Sequence, residues 1–204
     1  LIVVTVFVAG VMSPACAVGD ERPIAIDVEA EAALRAFVGE GFSLSRSDHF
    51  VLASDLGASR LLELGLLDRV ESTYVRVVRF CRRYGLSVGS LSRRLELVCF
   101  SRPADYDKLA GAMSPSAARA DGFYDYRTKR SYLTNRAQGA LADRAWWIVV
   151  RHESVHQVLD HIAPALVRAA PDWLSEGLAC VFETAAGVDG FDGAINKWRL
   201  IDVT

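Results

Sequence analysis

HESVH at residues 152–156 and PDWLSEGLA at residues 171–179 are the two stretches that decide how this chain folds around its chemistry. The first is an HExxH pattern inside an apolar helical run. Residues four apart lie on one face of an α-helix, so His152 and His156 are predicted to point their imidazoles at a single metal ion. Glu153 lies one step around the helix, where its carboxylate can reach a water on that metal without becoming a ligand.

Glu176, twenty positions after His156, is the candidate third ligand. Asp172 is a helix-starting residue type, and the apolar residues that follow it predict a second helix. Pro164 lies just beyond the end of the first helix, so two antiparallel helices with a short loop would bring Glu176 back beside the histidines. Catalytic zinc has three protein ligands and one open position, so this set predicts a catalytic Zn²⁺ site.

The alternative is two ordinary helical histidines beside an acid, because a bare HExxH also arises by chance. The chain has only 4 His in all, and two of them stand at metal-ligand spacing next to a glutamate. The joint pattern, with a third carboxylate downstream, favours the metal site.

His152, Glu153, His156 and Glu176 match, position by position, the motif of the gluzincins, zinc metallopeptidases with two histidines from HExxH and a downstream glutamate. Residues 173–179 resemble the WLNEGxA segment of aminopeptidase-N-like members, with Ser175 in place of asparagine. The nineteen residues between His156 and Glu176 are similar to the gap in thermolysin-like members. The similarity covers residues 145–183, extends more weakly to residue 49, and is greatest to short secreted gluzincin-like domains of bacteria.

This resemblance implies an α+β fold, with a mixed β-sheet packed on the HExxH active-site helix, a thermolysin-like upper lobe and a following glutamate-bearing helix. It also implies that an edge strand before that helix binds extended substrate, and the predicted hairpin within residues 122–134 holds this place. Tyr124 and Tyr126 are the candidates for substrate binding or for the oxyanion donor, with simple strand packing as the alternative. A partner chain or a missing C-terminal domain is the other source of that donor, since no Tyr or His follows Glu176.

A second carboxylate is expected to orient a metal-binding histidine. Thermolysin-like members place it four residues after the third ligand, where this chain has Cys180. Glu183, or Asp160 four residues after His156, is the candidate for this role, with an ordinary surface or capping acid as the alternative.

The expected function is zinc-dependent hydrolysis of a peptide or protein substrate, with Glu153 as the general base that passes the water's proton to the leaving amine. No GxMEN-type strand precedes the helix, so an endopeptidase is favoured over an aminopeptidase. The alternatives are a non-catalytic zinc-binding scaffold or peptide-binding domain, and hydrolysis of another acyl bond.

The composition fits one globular domain, with 204 residues of which 51% are hydrophobic and 24% charged. A net charge of −2 gives no indication of nucleic acid binding. The apolar run 1–11 and the small residues after it predict a signal peptide over 1–17, and hence a secreted or periplasmic domain over 18–204 with its core at about 49–186. The alternatives for this N-terminal segment are a lipoprotein anchored at Cys16 and a buried strand. The apolar run 1–11 is too short to span a membrane. Whether the chain is cut short of its natural C-terminus is left open.

The remaining pattern predicts the order of the elements that precede the metal-binding helix. Cys81, Cys99 and Cys180 would remain after cleavage, and both a Cys81–Cys99 disulfide and buried free thiols are left open. The predicted segments are a helix at 28–37, a strand at 49–54, a long helix at about 57–84 ended by Gly85, a strand at 95–100, a short helix at 103–109, a loop at 111–121, and a hairpin of strands 122–126 and 131–134.

Overall fold

A computed structural model describes residues 24–115, 117–136 and 140–183 of the chain. The predicted signal peptide at 1–17, Cys16 included, lies outside the described residues, as does everything after Glu183. Within the described part, the fold is α+β, as predicted: one five-stranded mixed sheet and seven α-helices.

The strands of the sheet are β1 (Ser43–Arg46), β2 (Phe50–Ser54), β3 (Leu95–Phe100), β4 (Gly122–Asp125) and β5 (Arg130–Thr134). Their order across the sheet is β1-β2-β3-β5-β4. The three central strands are parallel, and each outer strand is antiparallel to its neighbour. The predicted hairpin is therefore confirmed, and its first strand, β4, is an edge of the sheet.

The helices are α1 (Val28–Val38), α2 (Ala58–Leu64), α3 (Leu66–Arg83), α4 (Pro103–Met113), α5 (Ala140–Ile162), α6 (Pro164–Ala169) and α7 (Asp172–Phe182), with a short 3-10 helix at Ala117–Arg119. One face of the sheet packs against α3 and α5 in an apolar core that continues into α7. The other face packs against α1 and α4. The sheet thus holds α5, which carries the HExxH pattern, between itself and the glutamate-bearing helix α7.

The single long helix predicted at 57–84 is wrong, because the chain bends between α2 and α3. Gly65 has a φ of 57° and begins α3 in the left-handed region. Glycine adopts that conformation without the steric cost that a Cβ brings. The helix is therefore interrupted at Gly65, although the apolar periodicity of the sequence continues through it.

Three other segments differ from the prediction. The connection between α5 and α7 was predicted to be a short loop, but it contains the helix α6, which begins at Pro164, a residue that is favoured in the first turn of a helix. Strand β1 was not predicted, because its sequence SLSR lacks an apolar alternation and the strand is held mainly by its hydrogen bonds to β2. Helix α4 continues to Met113, so part of the predicted loop at 111–121 is helical.

Gly122 allows the edge strand to lie close to α5. A Cβ at this position would lie 2.8 Å from Leu133 Cδ2 and 2.9 Å from Val149 Cγ1, both closer than van der Waals contact. The absence of a side chain at Gly122 therefore sets the distance between β4 and α5.

Among the described residues, Cys81, Cys99 and Cys180 form no disulfide. Cys81 and Cys99 lie in the core between the sheet and its helices. Burial raises the pKa of the Cys81 thiol to about 11 and that of Cys99 to about 12, so both are inert buried thiols.

Candidate metal centre

Helices α5 and α7 bring the three predicted ligands together. His152 Nε2 lies 3.1 Å from His156 Nε2 and 3.1 Å from the carboxylate of Glu176. His156 Nε2 lies 3.3 Å from the other oxygen of that carboxylate. The predicted return of Glu176 to the histidines is therefore present in the fold.

The spacing of these donors fits a tetrahedral metal ion. With metal–ligand distances of about 2.0–2.1 Å, two ligand atoms of a tetrahedral zinc site lie about 3.3–3.4 Å apart. The observed separations of 3.1–3.3 Å lie close to that value. The donor types, two imidazoles and one carboxylate, are also those that zinc binds. These three side chains could therefore hold a metal ion.

The other ring nitrogen of each histidine is held by a neighbour. His152 Nδ1 lies 2.8 Å from Glu183, whose side chain is only 2% exposed. His156 Nδ1 lies 3.3 Å from the hydroxyl of Tyr126 and 3.3 Å from that of Ser175. Such partners orient the rings, so that both Nε2 atoms face the same point.

The orienting carboxylate is thus Glu183 for His152, while Asp160 has different neighbours. Asp160 accepts hydrogen bonds from the Tyr124 hydroxyl at 2.6 Å and from the Lys129 ammonium at 2.5 Å. This buried carboxylate joins the hairpin to α5 one turn after His156.

The contacts of Ser175 and Tyr126 with His156 were not predicted. The one available signal for Ser175 was its position next to the third ligand, where aminopeptidase-N-like members have asparagine.

Glu153 lies beside the cluster and is held by the edge strand. The backbone N–H of Tyr124 in β4 donates to the Glu153 carboxylate at 2.8 Å. Burial is the main reason that the pKa of Glu153 rises to about 7, against the opposing effects of His152 and the Tyr124 N–H. A carboxyl group that titrates near neutral pH can both take up and release a proton under ordinary conditions.

The two histidines differ in their electrostatic surroundings. For His156, burial and the nearby charge of His152 lower the pKa to about 4. For His152, burial also lowers the pKa, but Glu183 and the neighbouring glutamates outweigh it and raise the pKa overall. His156 is therefore the more readily neutral of the two, and neutral imidazole is the form that binds metal.

Tyr124 and Tyr126 occupy different positions in the site, although their rings are in edge contact at 4.8 Å. Tyr124 is buried, and burial together with its bond to Asp160 raises its pKa. Tyr126 is 43% exposed and its hydroxyl faces His156. Of the two tyrosines, Tyr126 is therefore the one whose hydroxyl both contacts a candidate ligand and is accessible to solvent.

A second group of possible ligands, His152, Cys180 and Glu183, lies on the other side of the His152 ring. Within this second group, His152 and Glu183 form the contact described above, in which the Glu183 carboxylate lies against His152 Nδ1. The group shares His152 with the first cluster, so the two groups form one connected centre.

The other two histidines lie outside these groups. His49, for which the sequence indicated no partner, binds Glu71 through both its backbone N–H and Nδ1, each at 2.7 Å. His161 lies near the end of α5, where burial lowers its pKa.

The sequence was compared with known families and proteins. No family model matches the chain, and no curated protein matches it. Within the described residues, every helix is too short or too polar to cross a membrane.

Proposed function

We propose that this protein is a zinc-dependent peptidase of the gluzincin type. The observation that carries the proposal is the convergence of His152 Nε2, His156 Nε2 and the Glu176 carboxylate at 3.1–3.3 Å, with Glu153 beside them. The residue-by-residue match to the gluzincin motif supports the same assignment. A zinc ion held by these three residues would supply an acidified water and polarise the carbonyl of the substrate.

The accessibility of the cluster supports a catalytic rather than a structural metal. Glu176 is 60% exposed, whereas His156 is 6% exposed. The described residues add no fourth His, Cys, Asp or Glu to the group, which is the donor count typical of catalytic zinc. A closed structural site would have no need for the adjacent carboxylate of Glu153.

Glu153 is the general base in this proposal. Its carboxylate takes a proton from the attacking water and later gives it to the nitrogen of the leaving amine. The N–H of Tyr124 fixes the carboxylate in place, so the strand that would lie along a substrate also positions the base.

Tyr126 is the proposed donor to the carbonyl oxygen on which negative charge develops. Tyr124 is less suited to this role, because its hydroxyl already donates to Asp160. Tyr126 is exposed, so its hydroxyl can reach a substrate while the buried hydrogen bond between Tyr124 and Asp160 stays intact. Loss of a single oxyanion donor lowers turnover about 10²–10³-fold, which defines the effect expected for Tyr126→Phe.

The test is a measurement of zinc content and of hydrolysis of a quenched random-peptide library by the purified full chain. Glu153→Gln is the decisive variant, and Glu29→Gln, on the exposed side of α1, is the matched control. We expect one zinc per chain in all three proteins and cleavage by the wild type and Glu29→Gln only. Zinc without cleavage in the wild type would favour the non-catalytic scaffold, and a chain without affinity for zinc would overturn the site.

A further inference from the structure

Lys129, in the turn of the hairpin, has a backbone conformation that its residue type rarely adopts. Its φ is 61°, and among the described residues it is the one non-glycine with a positive φ. A Cβ crowds the backbone in this left-handed region, where glycine and asparagine are the usual residues. The lysine therefore carries backbone strain, which indicates that its side chain has a role that glycine could not fill.

The Lys129 side chain ends on a buried carboxylate of α5. Its ammonium donates to Asp160 at 2.5 Å, and the Asp160 side chain is 8% exposed. The same carboxylate oxygen accepts a hydrogen bond from the Tyr124 hydroxyl at 2.6 Å. A buried carboxylate without a partner is unfavourable, so Lys129 supplies the positive charge that balances Asp160 beside the hairpin.

The backbone of the same turn is also held by α5. The side-chain amide of Gln157, which is completely buried, donates to the Lys129 carbonyl at 3.2 Å and to the Glu96 carbonyl at 2.9 Å. Its oxygen accepts a hydrogen bond from the Ser131 hydroxyl at 3.1 Å. These neutral hydrogen bonds fix the turn on the helix, and the contact between Lys129 and Asp160 adds an ionic bond to them.

The contacts of the hairpin with α5 extend to the proposed general base. Glu153, Gln157 and Asp160 lie on one face of the helix, because they are spaced by four and then three residues. Tyr124 contacts both ends of this face, since its N–H donates to Glu153 at 2.8 Å and its hydroxyl donates to Asp160. Seven helical residues span about 10.5 Å, so Tyr124 is held at two well-separated points. A displacement of its hydroxyl end would therefore move the N–H that orients Glu153.

We propose that Lys129, Asp160 and the Tyr124 hydroxyl form a clamp that positions Glu153 for proton transfer. The proposal rests on the proposed peptidase function and assigns positioning residues to it. The clamp acts on the Glu153 carboxylate through the Tyr124 N–H. Because its contacts lead to the base rather than to the histidine rings, loss of the clamp should lower kcat while zinc binding and KM are retained.

The experiment compares wild type with Lys129→Gln, which removes the charge of the clamp. Lys108→Gln, on the exposed side of α4, is the matched control. The values of kcat and KM are measured separately on a quenched peptide, together with the zinc content of each protein. We expect kcat of Lys129→Gln to fall about 10–100-fold with KM and zinc content unchanged, because a small displacement of a reacting group has an effect of this size. Lys129→Arg keeps the charge and should restore kcat, and the control should match wild type.

Lys129→Asn keeps the test possible if Lys129→Gln does not fold, because asparagine adopts left-handed backbone more readily than lysine does. Its midpoint of urea unfolding should stay near that of wild type while its kcat falls. A purely structural role of Lys129 would not produce that result. A kcat at the wild-type level in both variants would overturn the proposal.

Amide hydrogen exchange of Tyr124, followed by NMR on the full chain, tests the clamp independently of catalysis. The Tyr124 amide should exchange faster in Lys129→Gln than in wild type, whereas the amide of Val98, in the central strand β3, should not change. Faster exchange in a chain that cleaves no peptide would support the clamp although the proposed function fails. Unchanged exchange of Tyr124 would overturn the clamp and leave the peptidase proposal standing.

Discussion

The molecule contains two histidines that face a carboxylate in nearly the same way. His49 Nδ1 lies 2.7 Å from Glu71, and His152 Nδ1 lies 2.8 Å from Glu183. The ring of His49 stacks on Tyr74, with ring centroids 3.9 Å apart. The Nε2 atom of His152, by contrast, faces the two other candidate metal ligands, His156 and Glu176. A histidine–carboxylate contact thus fixes a ring in both places. What makes one of them a candidate site is the direction of the other nitrogen.

The largest expected effect is on zinc affinity, which should depend on the residues around His152 and not on those around His49. Glu176→Ala removes a proposed ligand, so zinc affinity should fall by more than the 10–100-fold that is typical of losing an outer partner. Glu71→Ala, at the other histidine, should leave zinc affinity unchanged. Competition with a chromogenic chelator measures both variants. Equal zinc affinity in wild type and Glu176→Ala would remove Glu176 from the ligand set.

A smaller effect is expected from the carboxylate that orients His152. Glu183→Gln keeps the shape of the side chain but removes its charge, and zinc affinity should fall about 10–100-fold. The matched variant Glu71→Gln changes the equivalent partner of His49 and should bind zinc like the wild type. If Glu183→Gln binds zinc normally, the carboxylate has a purely structural role.

The third expected effect is on the stability of the fold, and here the residues around His49 are the ones that matter. Glu71→Ala removes the acceptor for both the backbone N–H and the ring of His49. The free energy of unfolding should fall by roughly 1–2 kcal/mol, because a part-buried N–H loses its partner. Urea unfolding in the presence of EDTA measures this effect without a contribution from bound metal. Glu40→Ala, at an exposed position, is the control and should leave stability unchanged.

The smallest expected effect is the pH dependence of that same stabilisation. Burial alone would raise the pKa of Glu71, but its hydrogen bonds with His49 outweigh burial and hold the pKa below its ordinary value. A carboxyl with a lowered folded-state pKa stabilises the fold above its unfolded pKa, and that contribution is lost as the pH falls through the folded value. The stability difference between wild type and Glu71→Ala should therefore shrink as the pH falls below about 4.3. A difference that grows below that pH would contradict this assignment.

The sequence predicted those parts of the molecule that depend on local spacing. The four-residue interval of His152 and His156 placed both rings on one helical face, and apolar patterns located the central strands and the hairpin. Glu176 could be assigned because its helix was short, clearly bounded and close in the chain. Each of these features depends on periodicity or on a short connection.

Features that depend on a single backbone angle or on a distant partner were not predictable. The bend at Gly65 does not interrupt the apolar pattern on either side of it. His49 and Glu71 are twenty-two positions apart and meet only because α3 packs beside β2. The contact between Asp160 and Lys129 likewise requires the hairpin to be folded against α5. Hydrogen-bond partners set by tertiary packing leave no local pattern in the sequence.

Gly122 gives the edge strand a mechanical role in the proposed chemistry. Any side chain at this position would push β4 away from α5, because even a Cβ would lie within 2.9 Å of Leu133 and Val149. Two residues farther along, the same strand holds Glu153 through the Tyr124 N–H. Gly122 thus helps to set the position of the Glu153 carboxylate, the proposed general base. A single methyl group added at Gly122 would therefore displace the strand that positions Glu153, although Gly122 itself is neither a candidate ligand nor the proposed base.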